Sequence, residues 1–74
     1  MSYKNPAHRH AFETACETAS SLSLEALQAG DIIEKITQQI RVLPGMYQKR
    51  RLCKQIAEKA VQAEVAKRQS KSPQ

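Results

Sequence analysis

The sequence predicts an all-α fold, a small helical bundle of three main helices in which helices two and three form an antiparallel hairpin. Apolar residues recur at spacings of three and four between Ile32 and Leu43, which is the period of one helix face. Pro44 and Gly45 end this pattern, and a second, longer helical pattern follows them. No strand pattern and no internal repeat is visible, so helices alone account for the chain.

Helix one is predicted from Ala7 to about Ser20. Asn5 is a good capping residue, and Pro6 is tolerated at the first helical position. Small residues at spacings of three and four form one face, which lets a neighbouring helix come close but buries little surface per residue. The face consists of Ala11, Ala15, Ala19 and Leu22. A serine cluster interrupts the pattern after this helix.

A short helix over residues 24–28 and then helix two follow the serine cluster. Ser23 is the predicted cap of the short helix. Asp31 is the predicted cap of helix two, and Glu34 completes a capping-box pattern with it. Helix two is predicted over 32–43, with an apolar stripe about 100° wide. The stripe consists of Ile32, Ile33, Ile36, Ile40 and Leu43. The residues that face away are Glu34, Lys35, Gln38 and Arg41.

Helix three is predicted from about Met46 to Arg68, after a link short enough to favour an antiparallel pair. Glu64 and Arg68 are spaced for a favourable ion pair one helical turn apart. The apolar stripe of this helix consists of Leu52, Ile56, Ala60 and Ala63, widened by Cys53, Ala57 and Val61.

The length of 74 residues allows one small domain. The predicted organisation is a disordered lead over 1–5, a single helical domain over 6–68 and a disordered tail over 69–74. The chain has no Trp, one Phe and two Tyr, so the core is expected to be aliphatic. Because large side chains are few, a homo-oligomer or a bound partner is an expected further source of stability.

The net charge of +5 favours an anionic partner, and a charge kept for solubility is the alternative. Cys16 and Cys53 are far apart in sequence and do not make a disulfide scaffold, so reduced thiols are predicted. No signal-peptide pattern is visible, and no apolar run approaches the ~18 residues needed to span a bilayer. The expected location is therefore cytoplasmic, with no membrane partner.

No catalytic, metal or cofactor site is predicted. A nucleophile needs a base and an orienting group held in a cleft, and the chain has neither a nucleophile elbow nor a glycine-rich phosphate loop. His8 and His10 are two residues apart on a helix and point in different directions. A zinc site needs three or four converging ligands. The sequence therefore favours a non-enzymatic protein without a cofactor.

The densest basic run lies at the predicted start of helix three. Together with the tyrosine before it, the run comprises Tyr47, Lys49, Arg50, Arg51 and Lys54. Such a run neutralises phosphates in nucleic-acid-binding proteins, and tyrosine offers a stacking surface. At about 100° per residue, however, these cations are expected to spread around the helix. A helix-turn-helix template over 22–41 fits poorly, because Glu25, Asp31 and Gln39 fall where apolar residues belong.

The apolar stripes point to a protein partner, because helix one supplies few large side chains to cover them. The seam predicted for a partner helix or a second copy consists of Ile33, Ile36, Ile40, Leu52 and Ile56. The favoured function is a small non-enzymatic helical regulator or adaptor that binds a protein partner, and a homodimer stays open. The alternative is a nucleic-acid-binding (DNA or RNA) regulatory protein that uses the basic start of helix three.

Overall fold

The computed structural model describes residues 4–70, except for the side chain of Ser70. This part of the chain forms four helices: α1 (Pro6–Ser20), α2 (Leu24–Leu27), α3 (Ile32–Arg41) and α4 (Arg50–Ser70). The predicted all-α class is confirmed for the described residues, which contain no strand. Of the segments predicted to be disordered, residues 1–3 and 71–74 lie outside the described part.

The starts of α1 and α2 lie where their capping residues predict them. The side-chain oxygen of Asn5 accepts a hydrogen bond from the backbone N–H of Ala7 at 2.8 Å, and Pro6 occupies the first helical position. The hydroxyl of Ser23 accepts from the backbone N–H of Ala26 at 3.2 Å. Each bond satisfies an N–H that the first helical turn leaves without a partner.

The predicted cap of α3 is wrong. Asp31 precedes the helix but makes no side-chain capping bond, and its backbone (φ −103°, ψ 3°) departs from the extended conformation of a capping residue. Its carboxylate instead lies 3.4 Å from the Lys35 ammonium, with both side chains largely exposed. An exposed pair contributes little to stability. We attribute the stability of α3 mainly to its buried isoleucines.

The connection between α3 and α4 is longer than the predicted link. The last helix begins at Arg50 instead of Met46, and residues 42–49 form successive turns. Gly45 has φ +82°, in the left-handed region that favours glycine. Met46 is fully buried in the core. Gly45 thus lies in the predicted break, whereas Met46, predicted to begin the helix, is a buried residue of the connection.

The last helix lies at the centre of the core, because α4 packs against both α1 and α3. The buried residues of the first and third helices are Ala11, Ala15, Ala19, Ile32, Ile36 and Ile40. The buried residues of α4 are Cys53, Ile56, Ala57, Ala60 and Val61. Ala63 is exposed and Leu52 is half-buried. Both lie at the edge of the buried arc of α4, whereas the other five residues of the predicted stripe are buried.

Polar contacts also join α1 to the rest of the molecule. The Thr18 hydroxyl donates to the side-chain carbonyl of Gln39 at 3.0 Å, which links α1 to α3. Within residues 4–70, no buried side-chain nitrogen or oxygen lacks a hydrogen-bond partner. No helix of the described chain combines the length and the apolar character that crossing a membrane requires.

Candidate binding groove

A groove of about 850 Å³ lies between α3 and the start of α4. This binding groove has one wall formed by α3 and a second wall formed by the connection and the first turn of α4. Gly30 borders it just before α3. The groove contains four of the five residues of the predicted basic run, namely Lys49, Arg50, Arg51 and Lys54.

The α3 wall follows one face of that helix. Its lining residues are Ile33, Glu34, Thr37, Gln38 and Arg41. Their spacing of one, three, one and three residues places them on adjacent rows of the helix surface. The opposite face of α3 holds the buried isoleucines and faces the core. Burial of Ile32, Ile36 and Ile40 therefore leaves Ile33 and the polar residues beside it to line the binding groove.

The α4 wall begins in the connection and continues into the first turn of the helix. Its lining residues are Gln48, Lys49, Arg50, Arg51, Leu52 and Lys54. These cations were expected to spread around a continuous helix, and the structure brings all four to one groove. Because α4 begins at Arg50, Lys49 lies outside the helix. The groove opens at the helix end, where side chains from a wide arc border the same space.

The binding groove is strongly positive. Five cations line it, namely Arg41, Lys49, Arg50, Arg51 and Lys54. One carboxylate, Glu34, lies among them, which leaves a net of four positive charges. The first turn of α4 also contains no acidic residue. The positive end of the helix dipole is therefore reinforced by cations there, an arrangement that attracts anions and that costs helix stability.

Part of the groove surface is apolar. Ile33 and Leu52 are half-buried and line it from the two walls. The Thr37 hydroxyl donates to the backbone carbonyl of Ile33 at 2.7 Å, so its one donor is already used within α3. An occupant therefore meets aliphatic carbon as well as cationic groups.

Tyr47 lies next to the groove and is joined to it through Arg41. The Tyr47 side chain is 69% exposed, and its ring centre lies 5.3 Å from the guanidinium carbon of Arg41. The guanidinium also lies 3.4 Å and 3.5 Å from the backbone carbonyl of Tyr47, through Nε and Nη2 respectively. These contacts hold the ring and the cation side by side at one end of the α3 wall.

Lys49 connects the α4 wall to the first helix. Its Nζ lies 3.0 Å from Nε2 of His8. The backbone carbonyl of Lys49 accepts from the N–H of Cys53 at 2.8 Å, so this residue also precedes the first hydrogen-bonded turn of α4. The contact with His8 thus positions the Lys49 side chain, while the bond to Cys53 positions its backbone.

The five residues of the predicted seam have separate locations. Ile36, Ile40 and Ile56 are at most 1% exposed and belong to the core of the single chain. An interface made by those three therefore has no surface to use in this structure, because the other helices already cover them. The accessible part of the seam is Ile33 and Leu52, which line the binding groove.

Arg41 is the groove cation that sequence reasoning missed. The helical pattern placed it only on the face away from the apolar stripe. Its spacing of eight residues from Ile33 puts the two residues on the same side of α3, and that signal is present in the sequence. The sequence pattern does not show that the basic run at the start of α4 lies across the groove from this side of α3.

The thiols and the histidines do not form a site. Cys16 and Cys53 are free, and burial raises the pKa of both thiols. For Cys16 the carboxylates of Glu64 and Glu13 add to this effect. A search of the described residues finds no group of three or more His, Cys, Asp or Glu side chains able to hold a metal ion.

No protein-family model, curated protein or solved structure matches this chain.

Proposed function

We propose that this chain is a small non-enzymatic helical regulator or adaptor that binds a protein partner in the binding groove. The observation that supports this most is the combination, in one groove, of half-buried Ile33 and Leu52 with five cations. Apolar contacts supply binding free energy, while charge steers the encounter and selects the partner. The proposal assigns no reaction to the groove.

The proposed scaffold is a three-helix bundle, with α3 and α4 as an antiparallel hairpin and α1 across it. Packing of α4 against both α1 and α3 supports this arrangement. In such a bundle the core is closed by the chain itself. The partner therefore uses the rim, where the connection and the first turn of α4 meet α3.

Nucleic acid is the second candidate occupant of the same groove. The observation that favours it is the gathering of Lys49, Arg50, Arg51 and Lys54 at the start of α4. Neutralising several phosphates gives an affinity that falls steeply with salt, by roughly 10³-fold or more between about 50 and 200 mM. An interface with a substantial apolar part weakens far less over the same range.

A charge-reversal experiment tests the proposal. The test variant is R50E/R51E/K54E, and a matched control, K4E/R9E/K59E, makes the same change in net charge at exposed positions outside the groove. Each protein is used for affinity capture from cell extract with quantitative mass spectrometry, after circular dichroism has verified its helicity. We expect the partner to be lost from the test variant and retained by the control.

Two results would overturn the assignment. Capture that is unchanged by R50E/R51E/K54E would show that the partner does not use the groove. A mobility shift of mixed-sequence DNA or RNA that depends on these three residues and vanishes at about 200 mM salt, without a captured protein, would replace the protein partner with a nucleic acid.

A further inference from the structure

We infer that the occupant of the binding groove is an acidic amphipathic helix with aliphatic anchors one turn apart, an identification that rests on the proposed function. Its apolar side chains meet Ile33 and Leu52, and its carboxylates meet the cations of the two walls. Charge complementarity and the surface chemistry of the groove support this occupant.

The backbone of the occupant is the first argument. Both walls are helical or lie in tight turns, and residues 4–70 contain no strand that offers a free edge. An extended peptide recognised by strand addition has no backbone groups to pair with here. A helix satisfies its own backbone hydrogen bonds and presents only side chains, which is what this groove is lined to receive.

The length of the α3 wall sets the size of the contact. Ile33 and Arg41 are eight residues apart, and at ~1.5 Å per residue the wall is about 12 Å long. A partner helix lying along it contacts the groove through about two turns. In this inference the partner helix contributes two aliphatic side chains three or four residues apart, which lie on one of its faces and pack against Ile33 and Leu52.

The charges of the α3 wall determine where along the groove the carboxylates of the occupant lie. Glu34 lies near one end of this wall and Arg41 at the other, and both line the groove. Carboxylates of the partner are therefore favoured toward Arg41 and disfavoured beside Glu34. A chain of phosphates lacks this asymmetry and gains nothing from Ile33 and Leu52, so the groove chemistry favours a protein helix over nucleic acid.

Designed peptides test this identification directly. The first is a fluorescent helical peptide of about 14 residues, with leucines at i and i+4 and glutamates beside them. A second replaces the leucines with alanine, and a third replaces the glutamates with lysine. A mixed-sequence single-stranded DNA of similar length is the fourth probe. Binding of the unmodified protein is measured by fluorescence anisotropy at about 50 and 200 mM salt.

The expected order of affinity is specific. The leucine–glutamate peptide binds at least about tenfold more tightly than either variant peptide, because each variant removes one of the two complementary surfaces. Protein carrying Glu34→Gln binds that peptide more tightly, and protein carrying Arg51→Glu binds it more weakly. Circular dichroism of both proteins verifies that their helicity is retained.

Four results would overturn the inference. Equal binding of the alanine peptide would mean that the groove recognises negative charge alone. Tighter binding of the DNA with a steep salt dependence would assign the groove to phosphate. Absence of peptide binding, in protein that still captures a partner through Arg50 and Arg51, would reject the acidic helix and leave the proposed function standing. Absence of both peptide binding and partner capture would reject this inference together with the proposed function.

Discussion

The guanidinium of Arg68 donates a hydrogen bond to the backbone carbonyl of Ser20 at 3.2 Å, across 48 residues of sequence. The same group reaches the carbonyls of Ala19 and Leu22, and its Nε lies 2.9 Å from a carboxylate oxygen of Glu64. The last carbonyls of a helix have no partner within it. Arg68 of α4 therefore caps the C-terminus of α1, and its ion pair with Glu64 holds its side chain in place.

Replacement of Arg68 with alanine is expected to lower the free energy of unfolding by about 1–2 kcal/mol, because hydrogen bonds to a charged donor are lost. The side chain is 27% exposed, so water replaces part of the interaction. Urea unfolding followed by circular dichroism measures the loss. Gln69→Ala, at the exposed neighbouring position, is the control and should change stability little. A loss below about 0.5 kcal/mol for Arg68→Ala would contradict this role.

The two glycines differ in what they allow. Gly45 has φ +82°, and a Cβ added to it would lie 3.0 Å from the Cβ of Ala7. Gly45→Ala is expected to cost about 1–2 kcal/mol from its left-handed backbone alone. A Cβ at Gly30 would meet nothing within 4 Å, so Gly30→Ala is the matched control. Thermal unfolding should separate the two variants, and equal melting temperatures would refute the argument.

Much of the fold was predictable from residues that are close together in the sequence. The helical period, the caps at Asn5 and Ser23 and the Glu64–Arg68 pair each depend on residues within one turn of each other, and each prediction is confirmed. The cap at Asp31 failed although its pattern is equally local. There the carboxylate pairs with Lys35 instead of the helix N–H groups, a competition that spacing alone does not decide.

Features made by distant residues were not predictable from spacing. Nothing in the sequence near Met46 indicates that its side chain is buried, yet it is fully buried in the core. The last helix begins at Arg50 instead of Met46, and the basic run lines one groove at that start. Arg41 shows the same limit. The helical period indicates on which side of α3 it lies, but not that the basic run forms the opposite wall of the groove.

The thiol of Cys16 gives a prediction about alkaline pH. Burial raises its pKa, and Glu64 and Glu13 raise it further while Lys67 opposes them. A raised pKa means that the folded chain keeps the proton where the unfolded chain, with a thiol pKa of about 8.5, begins to lose it. The stability from this shift is intact below about pH 8.5 and is lost as the pH rises further.

Comparison of the native protein with Cys16→Ala tests that sign. The difference in unfolding free energy between them, native minus variant, should be constant from about pH 7 to 8 and should fall from about pH 8.5 upward. Other alkaline titrations act on both proteins and largely cancel in the difference. Urea unfolding under reducing conditions measures it. A difference that stays level or rises above pH 8.5 would show that the folded thiol pKa is not raised.

Arg50 and Arg51 separate stability from binding, because the two are expected to change in opposite directions. They occupy the positive end of the α4 dipole, where no acidic residue lies in the first turn. Arg50→Glu and Arg51→Glu should each raise the free energy of unfolding by about 0.3–1 kcal/mol at low ionic strength. Each should also weaken capture of the partner, since the groove loses a cation and gains an anion.

Lys67→Glu is the matched control for this prediction, because it makes the same change in net charge in the last turn of α4, outside the binding groove. A negative charge is unfavourable there, so this variant should lose stability and keep its partner. Urea unfolding and partner capture are measured on all three proteins. If Arg50→Glu and Arg51→Glu were less stable than the native chain, the two arginines would be stabilising the fold. A gain of stability with a loss of binding would instead mean that the chain retains these cations for the partner, against the preference of its own helix.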